Sequence, residues 1–273
     1  MTKLDQFSVE GKVAVITGGT GVLGSAMTLG LARAGAKTVV IGRRKEAGAE
    51  IENLVNAGGG SCVFIQADVL NGNELLSAND KILDRFGRID ILVNAAGGNL
   101  PGAVIPPDKT FFDLDMTEFG KVVELNLDGT VLPTKVFCHD MAKRKAGVII
   151  NIASMASFRP ITRVVGYSAA KSAIKNFTEW LAVEMARKFG EGIRVNGIAP
   201  GYFLTEQNRS LLTNPDGSYT ARGQSAISHT PFNRFGDPEE LVGTLIWLCS
   251  DSSRFVTGVT IPVDGGFNAF CGV

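Results

Sequence analysis

Histidine and cysteine are scarce in this chain of 273 residues, which contains only two histidines and four cysteines. The cysteines lie far apart and form no CxxC pair; they are Cys62, Cys138, Cys249 and Cys271. A protein zinc site needs several such ligands at close spacing, so no metal is expected. The scattered cysteines are interpreted as reduced thiols rather than disulfides.

An excess of either charge is also missing, because 27 basic residues are balanced by 27 acidic ones. This balance argues against nucleic acid as a partner. No apolar run approaches the roughly 18 residues of a membrane span. The polar start, MTKLDQFSVEGK, lacks the apolar centre of a signal peptide. We therefore expect a cytoplasmic protein with no membrane contact.

Short β-branched segments alternate with helical stretches along the whole chain. Several of these segments are apolar throughout, which is typical of strands buried on both faces of a sheet. The alternation predicts an α/β fold, a Rossmann-type doubly wound parallel sheet of about seven strands with helices on both faces. We expect a single domain over residues 1–273. The predicted strands are 13–17, 38–41, 62–67, 91–94, 148–153, 193–198 and 259–263.

Two helices and one loop can be placed from local signals. Residues 73–87 put apolar side chains on one helical face, and Gly87 can end that helix. Asp237 is a candidate N-cap for the helical stretch that follows it. Residues 202–236 have little periodicity, and a loop of that length in a compact domain is usually a lid or a binding segment. We expect this segment to be the substrate lid.

The stretch TGGTGVLG, residues 17–24, follows the first predicted strand and precedes a helix. Glycines in such a turn let the backbone approach a pyrophosphate, and the helix N-terminus offers unpaired N–H groups. The alternative is an ordinary tight turn with close helix packing. The position after the first strand favours a dinucleotide-binding loop. The expected contacts are Gly18, Thr20, Gly21, Val22, Leu23 and Gly24.

The end of the second predicted strand bears on the choice of cofactor. An acidic side chain at this place binds the adenosine 2′-hydroxyl of NAD, whereas an arginine accommodates the 2′-phosphate of NADP. Here the strand ends in Gly42, Arg43 and Arg44. Glycine leaves space, and Arg43 can bind a phosphate in a bidentate manner. NADP is therefore favoured over NAD, although both arginines can also belong to a solvated turn.

The stretch YSAAK places Tyr167 and Lys171 one helical turn apart on the same face. A nearby ammonium favours phenolate, so the pair can donate and accept a proton. Ser154 ends the apolar run VIINIAS, where open parallel sheets bind ligands. Its hydroxyl can hold a carbonyl oxygen for Tyr167 to protonate. Asn126 lies in a helical stretch and can anchor a proton relay to Lys171, or make only a structural contact.

The ordered set of motifs resembles the short-chain dehydrogenase/reductase family over roughly residues 10–270. The motifs are Thr17-Gly18…Gly24, Asn94-Ala95-Ala96-Gly97, Asn126, Ser154, Tyr167-xxx-Lys171, Pro200-Gly201 and Asp264-Gly265-Gly266. The resemblance implies that Tyr167 is the catalytic acid/base and that Ser154 orients the carbonyl. It also implies that Lys171 binds the nicotinamide ribose and that Asn126 holds a relay water. The further cofactor contacts that it implies are Asp68, Val69, Asn94, Ala95, Ala96, Gly97, Pro200, Gly201 and Thr205.

The glycine spacing departs from the short, single-domain branch of that family. That branch usually reads TGxxxGxG, whereas this chain has Val22 at the second glycine and reads TGxxGxxG. The observed spacing is that of nucleotide-sugar epimerases, which usually carry a sizeable C-terminal substrate domain. A chain of 273 residues leaves little room for one. The short branch is therefore favoured, and the conformation around Val22 stays open.

Several stretches resemble the bacterial D-mannonate oxidoreductases of the short type, which interconvert D-fructuronate and D-mannonate. They include AAGGN, KTFFDLD, GYFLTEQNRSLL, NPDGSYTARG, SHTPFNRFG and VDGGFNAFCGV. A sugar acid needs a cation for its carboxylate, and Arg163 or Arg209 is the expected partner. These arginines can instead be surface or subunit contacts. The expected substrate residues are Asn99, Arg163, Gln207, Asn208 and Arg209.

Other functions fit parts of the pattern. A reductase of the same family for another substrate, similar to a gluconate 5-dehydrogenase or a ketoacyl reductase, is the nearest alternative. A nucleotide-sugar epimerase is indicated only by the glycine spacing. A non-catalytic nicotinamide-binding regulator would have no need of the proton donor in the Ser154, Tyr167 and Lys171 set. The resemblance also implies a homo-oligomer, most often a tetramer.

Overall fold

Seven parallel strands form one sheet in the order β3-β2-β1-β4-β5-β6-β7. The computed structural model describes residues 5–205 and 208–272. The strands are β1 Val13–Thr17, β2 Lys37–Gly42, β3 Ser61–Gln66, β4 Ile91–Asn94, β5 Gly147–Ile152, β6 Ile193–Pro200 and β7 Thr260–Val263. The predicted doubly wound sheet is confirmed, and every predicted strand is present with ends that differ by no more than two residues.

The strand order reverses between β1 and β4, because the chain first builds the sheet outward through β2 and β3 and then returns. Thr17 of β1 and Asn94 of β4 are register partners at this switch. In open parallel sheets a crevice forms beyond the carboxyl ends of the strands at such a switch point, and ligands bind there. The fold therefore brings the glycine loop after β1 next to the segment after β4.

Helices cover both faces of the sheet. They are α1 Val22–Arg33, α2 Lys45–Ala57, α3 Gly72–Phe86, α4 Met116–Val123, α5 Gly129–Arg144, α6 Val165–Phe189, α7 Arg209–Leu212, α8 Ala221–Ser228 and α9 Glu240–Cys249. One buried cluster joins α3, α5 and α6 to one face of the sheet. A second joins α1 and α9 to the other face. Successive strand residues point to opposite faces, so Val15 enters the first cluster while Ala14 and Ile16 enter the second.

The helix ends follow the local signals of the sequence. Asn71 caps α3 by accepting the N–H groups of Asn73 and Glu74. Gly87 ends α3 with a φ of 75°, in the left-handed region that favours glycine. Helix α9 begins at Glu240, three residues after the predicted cap, although Asp237 accepts the N–H of Glu239 at 2.9 Å. The helix over 73–87 is confirmed within one residue.

The segment from 202 to 236 contains more regular structure than its sequence indicates. A parallel bridge joins Phe203 to Gly236 and closes the segment at its base. An antiparallel bridge joins Thr213 to Tyr219, between the short helices α7 and α8. No helix in the described part of the chain is both long and apolar enough to cross a membrane.

Candidate active site

The loop between β1 and α1 has the geometry of an anion-binding turn. Gly18 has a φ of +66°, and a Cβ there would lie 2.7 Å from the backbone of Ala96. A Cβ on Gly24 would lie 2.2 Å from the carbonyl oxygen of Gly18. Gly21 caps α1 without a side-chain hydrogen bond, so no side chain competes for the first N–H groups of the helix. This cradle fits the pyrophosphate of a dinucleotide.

Val22 does not disturb this loop, because it is the first residue of α1. Helical backbone geometry is open to any residue, and the positive φ angles of the loop are confined to Gly18. The Gly21 N–H donates to the Gly18 carbonyl at 3.0 Å and closes the turn ahead of Val22. Glycine is therefore demanded by close contact at 18 and 24, whereas position 22 accepts a side chain.

The two arginines after β2 have different surroundings. The guanidinium of Arg44 donates to the Thr20 carbonyl of the glycine loop at 2.8 Å. Arg43 is largely exposed, and its Nη1 is 3.7 Å from a carboxylate oxygen of Asp68. An exposed ion pair at this distance is weak, so Arg43 keeps its capacity to bind an anion. Arg43, Arg44 and Asp68 lie together beside the glycine loop, where the adenosine end of a dinucleotide is expected.

Asn94 lies at the end of β4 but joins a buried polar network. Its Nδ2 donates to the Thr134 hydroxyl at 2.8 Å and to the Asn151 side chain at 2.9 Å. Asn151 in turn donates to the Thr178 hydroxyl at 2.9 Å. The network ties β4 and β5 to helices α5 and α6. A contact from residue 94 to the cofactor would therefore involve its backbone rather than this side chain.

The segment after β4 contacts the centre of the site through two glycines. Gly97 and Gly98 have φ angles of 152° and 141°. The Gly98 N–H donates to Oδ1 of Asn126 at 3.0 Å, and Nδ2 of Asn126 donates to the Gly98 carbonyl at 2.7 Å. A Cβ on Gly97 would lie 2.6 Å from that Oδ1 and 3.4 Å from Nζ of Lys171. Because Gly97 has no side chain, Asn126 and Lys171 can both pack against the backbone at this position.

Asn126 is completely buried in a turn of π-helix, Glu124–Asp128, between α4 and α5. Such wide turns interrupt a helix and often occur at functional sites. Its amide also donates to the Val122 carbonyl at 2.8 Å, so both ends of the side chain are bound to protein. The side chain of Asn126 fixes the geometry of the turn. Its predicted part in holding a relay water stays a prediction.

The side chain of Ser154 lies close enough to Tyr167 to act on the pKa of its phenol. Ser154 follows β5 and also accepts the N–H of Ala156 at 3.2 Å, which holds its hydroxyl in place. Tyr167 is partly buried in the first turn of α6. Burial raises the pKa of Tyr167, and the nearby Ser154 side chain opposes that rise. The structure thus joins the proton donor and the carbonyl-orienting hydroxyl that the sequence predicted.

Lys171 lies one turn further along α6 and is only 4% exposed. Its Nζ donates to the Ile152 carbonyl at 2.7 Å and is 5.6 Å from the centre of the Tyr167 ring. Burial lowers the pKa of Lys171 to about 8. The expected lowering of the Tyr167 pKa by this ammonium is not observed. The physical reason is that the ammonium is bound to a carbonyl and burial dominates both groups.

The cofactor contacts predicted after β6 lie at the carboxyl end of the sheet. Pro200 ends β6, and a Cβ on Gly201 would lie 2.6 Å from the backbone of Asp264. The Thr205 N–H donates to the Asn208 side chain at 2.8 Å. This tight passage leads the chain from the sheet into the segment over the site.

The predicted substrate residues fall into different situations. Nδ2 of Asn208 donates to the Phe203 carbonyl at 2.8 Å, so that side chain stabilises the loop itself. Asn99 has a buried Oδ1 without a partner among the described residues. Arg163 has a φ of 72°, and its carbonyl accepts the N–H of Ile105 at 3.0 Å. Arg209 begins α7. Gln207 lies outside the described residues.

Sequence reasoning missed a contact between segment 202–236 and the stretch of chain that joins Ser154 to Tyr167. Arg222 of α8 donates to the carbonyl and the hydroxyl of Thr162, at 3.2 and 3.4 Å. It also missed Tyr202, which packs edge-on against Phe267 with ring centres 5.3 Å apart. The sequence does show an arginine at position 222 inside the predicted lid. Which part of the protein its side chain contacts depends on how α7 and α8 fold, and the sequence does not show this. Among the described residues, no group of acidic, histidine or cysteine side chains could hold a metal ion.

Comparisons with known proteins show a family and several relatives of the chain. Residues 12–216 match a family described as short chain dehydrogenase. The chain is 46% identical over 275 residues to UxuB of Bacillus subtilis (strain 168), an uncharacterized oxidoreductase, with 97% of this chain and 98% of the relative covered.

Two solved structures are similar over nearly their whole length. One is a Haemophilus influenza protein with a provisional assignment as a D-mannonate oxidoreductase and with bound NAD. Its TM-score is 0.91 and its sequence identity 40%, and the match covers 97% of this chain and 98% of that protein. The other is a gluconate 5-dehydrogenase of Burkholderia cenocepacia J2315 in complex with NADP and tartrate. It has a TM-score of 0.87 and 33% identity, covering 98% of this chain and 99% of its own.

Proposed function

Since the chain belongs to the short-chain dehydrogenase/reductase family, we propose that it acts on a sugar acid and interconverts D-fructuronate and D-mannonate. The enzyme class and the use of NAD or NADP, both expected from the sequence, are confirmed by the family match and by similar structures that contain these cofactors. The observation that carries the proposal is the closeness of Ser154, Tyr167 and Lys171: Ser154 acts on the Tyr167 phenol, and Lys171 Nζ lies 5.6 Å from the centre of its ring. These residues lie where β5 and α6 meet at the carboxyl end of the sheet.

The residues of this chain supply binding and proton transfer. A nicotinamide held by these residues would supply the hydride chemistry. Ser154 holds the oxygen of the reacting carbon by a hydrogen bond. In the direction of reduction Tyr167 gives its phenolic proton to that oxygen, and in the direction of oxidation it takes the proton back. Its raised pKa keeps Tyr167 protonated at neutral pH, which suits the reducing direction.

Lys171 and Asn126 would position the phenol of Tyr167 and return a proton to it after each turnover. The buried Lys171 would bind the ribose hydroxyls of the cofactor, as the family resemblance implies, and its ammonium then lies close to the phenol. Asn126 would hold the water that returns a proton to Lys171. The Gly98–Asn126 hydrogen bonds support this arrangement, because they fix the π-helical turn against the segment after β4.

NADP is the proposed preference. Gly42 leaves no acidic side chain for the 2′-hydroxyl of NAD, and the exposed Arg43 is available for a 2′-phosphate. Arg44 binds the glycine loop through the Thr20 carbonyl, which places a second arginine on the proposed adenosine side of the cofactor site. The other proposed contacts follow the family pattern at Thr20, Val22, Leu23, Asp68, Val69, Ala95, Ala96, Pro200, Gly201 and Thr205.

The sugar-acid substrate is supported by the polar mouth of the site and by the kinds of relatives found. Asn99, with its unpartnered oxygen, follows the Gly98 that is bound to Asn126, and the partly buried Arg163 lies in the stretch of chain between Ser154 and Tyr167. Arg209 lies on the segment 202–236, which is the proposed lid. A homotetramer and a cytoplasmic location stay predictions.

The experiment measures the absorbance of reduced nicotinamide with purified protein. D-fructuronate and D-mannonate are supplied with NADP and NAD in parallel, and Tyr167→Phe serves as the inactive control. Turnover of either acid supports the proposal, and a higher kcat/KM with NADP supports the role of Arg43. Turnover of gluconate-type or acyl ketones alone would favour the alternative reductase. An epimerase would bind the cofactor tightly without a net absorbance change, and a regulator would bind it without turnover.

A further inference from the structure

We propose that Arg222, on the first turn of α8, binds the carboxylate of the substrate. This inference rests on the proposed function, because it assigns the cation that a sugar acid needs. Arg222 is partly buried, and its guanidinium reaches from the lid to Thr162 in the segment between Ser154 and Tyr167. It therefore joins segment 202–236 to the stretch of chain between Ser154 and Tyr167.

The present partners of Arg222 are weak ones. Its two donors bind neutral oxygens of Thr162, at 3.2 and 3.4 Å, and no carboxylate among the described residues pairs with it. A guanidinium forms shorter and stronger bonds with a carboxylate, often through two parallel N–H donors. A carboxylate that enters the cleft would displace the Thr162 oxygens at little cost.

Arg159 and Arg234, two other arginines of these segments, already have close partners. Arg159 donates to the carbonyl of Asn268 at 2.5 Å in the C-terminal segment. Arg234 pairs with both carboxylate oxygens of Glu240, at 2.7 and 2.6 Å. Arg222 is thus a partly buried arginine of the proposed lid, and its guanidinium forms no ion pair with a carboxylate among the described residues.

The position of Arg222 also places it close to the wall of the cleft. Burial raises the pKa of Tyr202, and the nearby charge of Arg222 opposes that rise. Tyr202 directly follows Gly201, where the family pattern places the nicotinamide. A sugar acid with its carbonyl at Ser154 could therefore extend its far end between Thr162, Tyr202 and Arg222.

The lid does not depend on Arg222 for its fold. The Thr220 hydroxyl caps α8 by accepting the N–H of Gly223 at 3.0 Å. A Cβ on Gly223 would lie 2.0 Å from the Leu212 carbonyl oxygen, so α8 packs closely against α7. Substitution of the Arg222 side chain should leave these contacts in place.

The test compares Arg222→Met and Arg222→Lys with a control variant, Arg159→Met, and with Arg163→Met, which removes the carboxylate partner expected from the sequence. For Arg222→Met we expect a rise of about 10- to 100-fold in KM for D-fructuronate, because a charge-assisted hydrogen bond is lost. Its kcat should fall less, and its KM for reduced cofactor should stay unchanged. Arg222→Lys should recover part of the loss. D-fructose, which has a hydroxymethyl group in place of the carboxylate, should react equally with wild type and Arg222→Met.

The outcomes separate the two proposals. Wild-type turnover of D-fructuronate together with an unchanged KM in Arg222→Met would overturn the carboxylate assignment and leave the proposed function intact. An equal loss with D-fructose, or a selective loss in Arg163→Met instead, would also overturn it. Absence of turnover of both acids by the wild type would overturn the proposed function, and the assignment with it.

Discussion

The ammonium of Lys171 lies over the ring of Tyr167: Nζ is 5.6 Å from the ring centre and donates to the Ile152 carbonyl at 2.7 Å. The ammonium is thereby held beside the phenol by a backbone carbonyl, while the side chain of Ser154 acts on the pKa of the same phenol. This arrangement supports the proposed roles of Tyr167 as proton donor and of Lys171 at the cofactor ribose.

Removal of the phenolic proton donor should abolish most of the catalysis. General acid–base catalysis contributes about 10²–10⁴-fold, or roughly 3–5 kcal/mol of barrier. Tyr167→Phe is therefore expected to lose at least 10²-fold in kcat and to bind NADP as wild type does. The measurement is steady-state turnover together with fluorescence titration of the cofactor. Unchanged turnover in this variant would refute the proton-transfer role.

Lys171 should make the folded protein less stable near neutral pH, because its charge is buried. Its pKa is about 8 in the folded protein against an ordinary value of 10.5. Below about pH 8 Lys171 is charged in both the folded and the unfolded chain, so the buried charge lowers the free energy of unfolding by its full amount there. The unfolded chain binds the extra proton between the two values, so stability rises with pH across that window.

Lys171→Met should therefore have a higher Tm than wild type at pH 7, by a few degrees. The difference in pKa corresponds to about 3 kcal/mol as an upper bound. The lost hydrogen bond to Ile152 reduces that gain by about 1 kcal/mol. The advantage should shrink as pH rises from 8 to 10, in thermal melts of the cofactor-free protein. A lower Tm at pH 7, or an advantage independent of pH, would contradict this account.

The choice of cofactor should depend on Arg43. Arg43→Gln removes the proposed partner of the 2′-phosphate, so KM for NADP is expected to rise about 10- to 100-fold, the usual effect of losing a charge-assisted hydrogen bond. KM for NAD should change little. Arg33→Gln is a suitable control, because Arg33 is an exposed arginine that pairs with Glu239. Equal changes for both cofactors in Arg43→Gln would argue against a phosphate contact.

Two glycines in helices should respond oppositely to alanine. A Cβ on Gly24 would lie 2.2 Å from the Gly18 carbonyl oxygen, whereas Gly243 in α9 has nothing within 4 Å. Gly24→Ala should lose about 1–3 kcal/mol of stability by overpacking and weaken cofactor binding. Gly243→Ala should gain about 0.5–1 kcal/mol, since alanine is the better helix former. Denaturant unfolding and cofactor titration measure both effects, and similar values for the two variants would contradict the contact argument.

The strands and the catalytic set could be predicted because their signals are local in sequence. The apolar runs mark the sheet, and the spacing of Tyr167 and Lys171 follows from helical geometry. The partners of Asn94 and of Arg222 could not be predicted, because each contact joins segments about 40 or more residues apart in the sequence. The sequence also could not show that the glycine loop tolerates Val22, since this depends on where α1 begins. Burial, which governs the pKa of Tyr167, is a property of the folded surroundings and not of the motif.

The buried network of Asn94, Asn151 and Thr178 bears on how the enzyme can acquire new substrates. It anchors the strands and helices that carry Ser154, Tyr167 and Lys171 from inside the protein. The lid, in contrast, contacts the catalytic segment through bonds such as that from Arg222 to Thr162 at the mouth. Evolution or a protein engineer can therefore exchange residues of segment 202–236 to recruit other substrates, while the reaction centre is inherited without change.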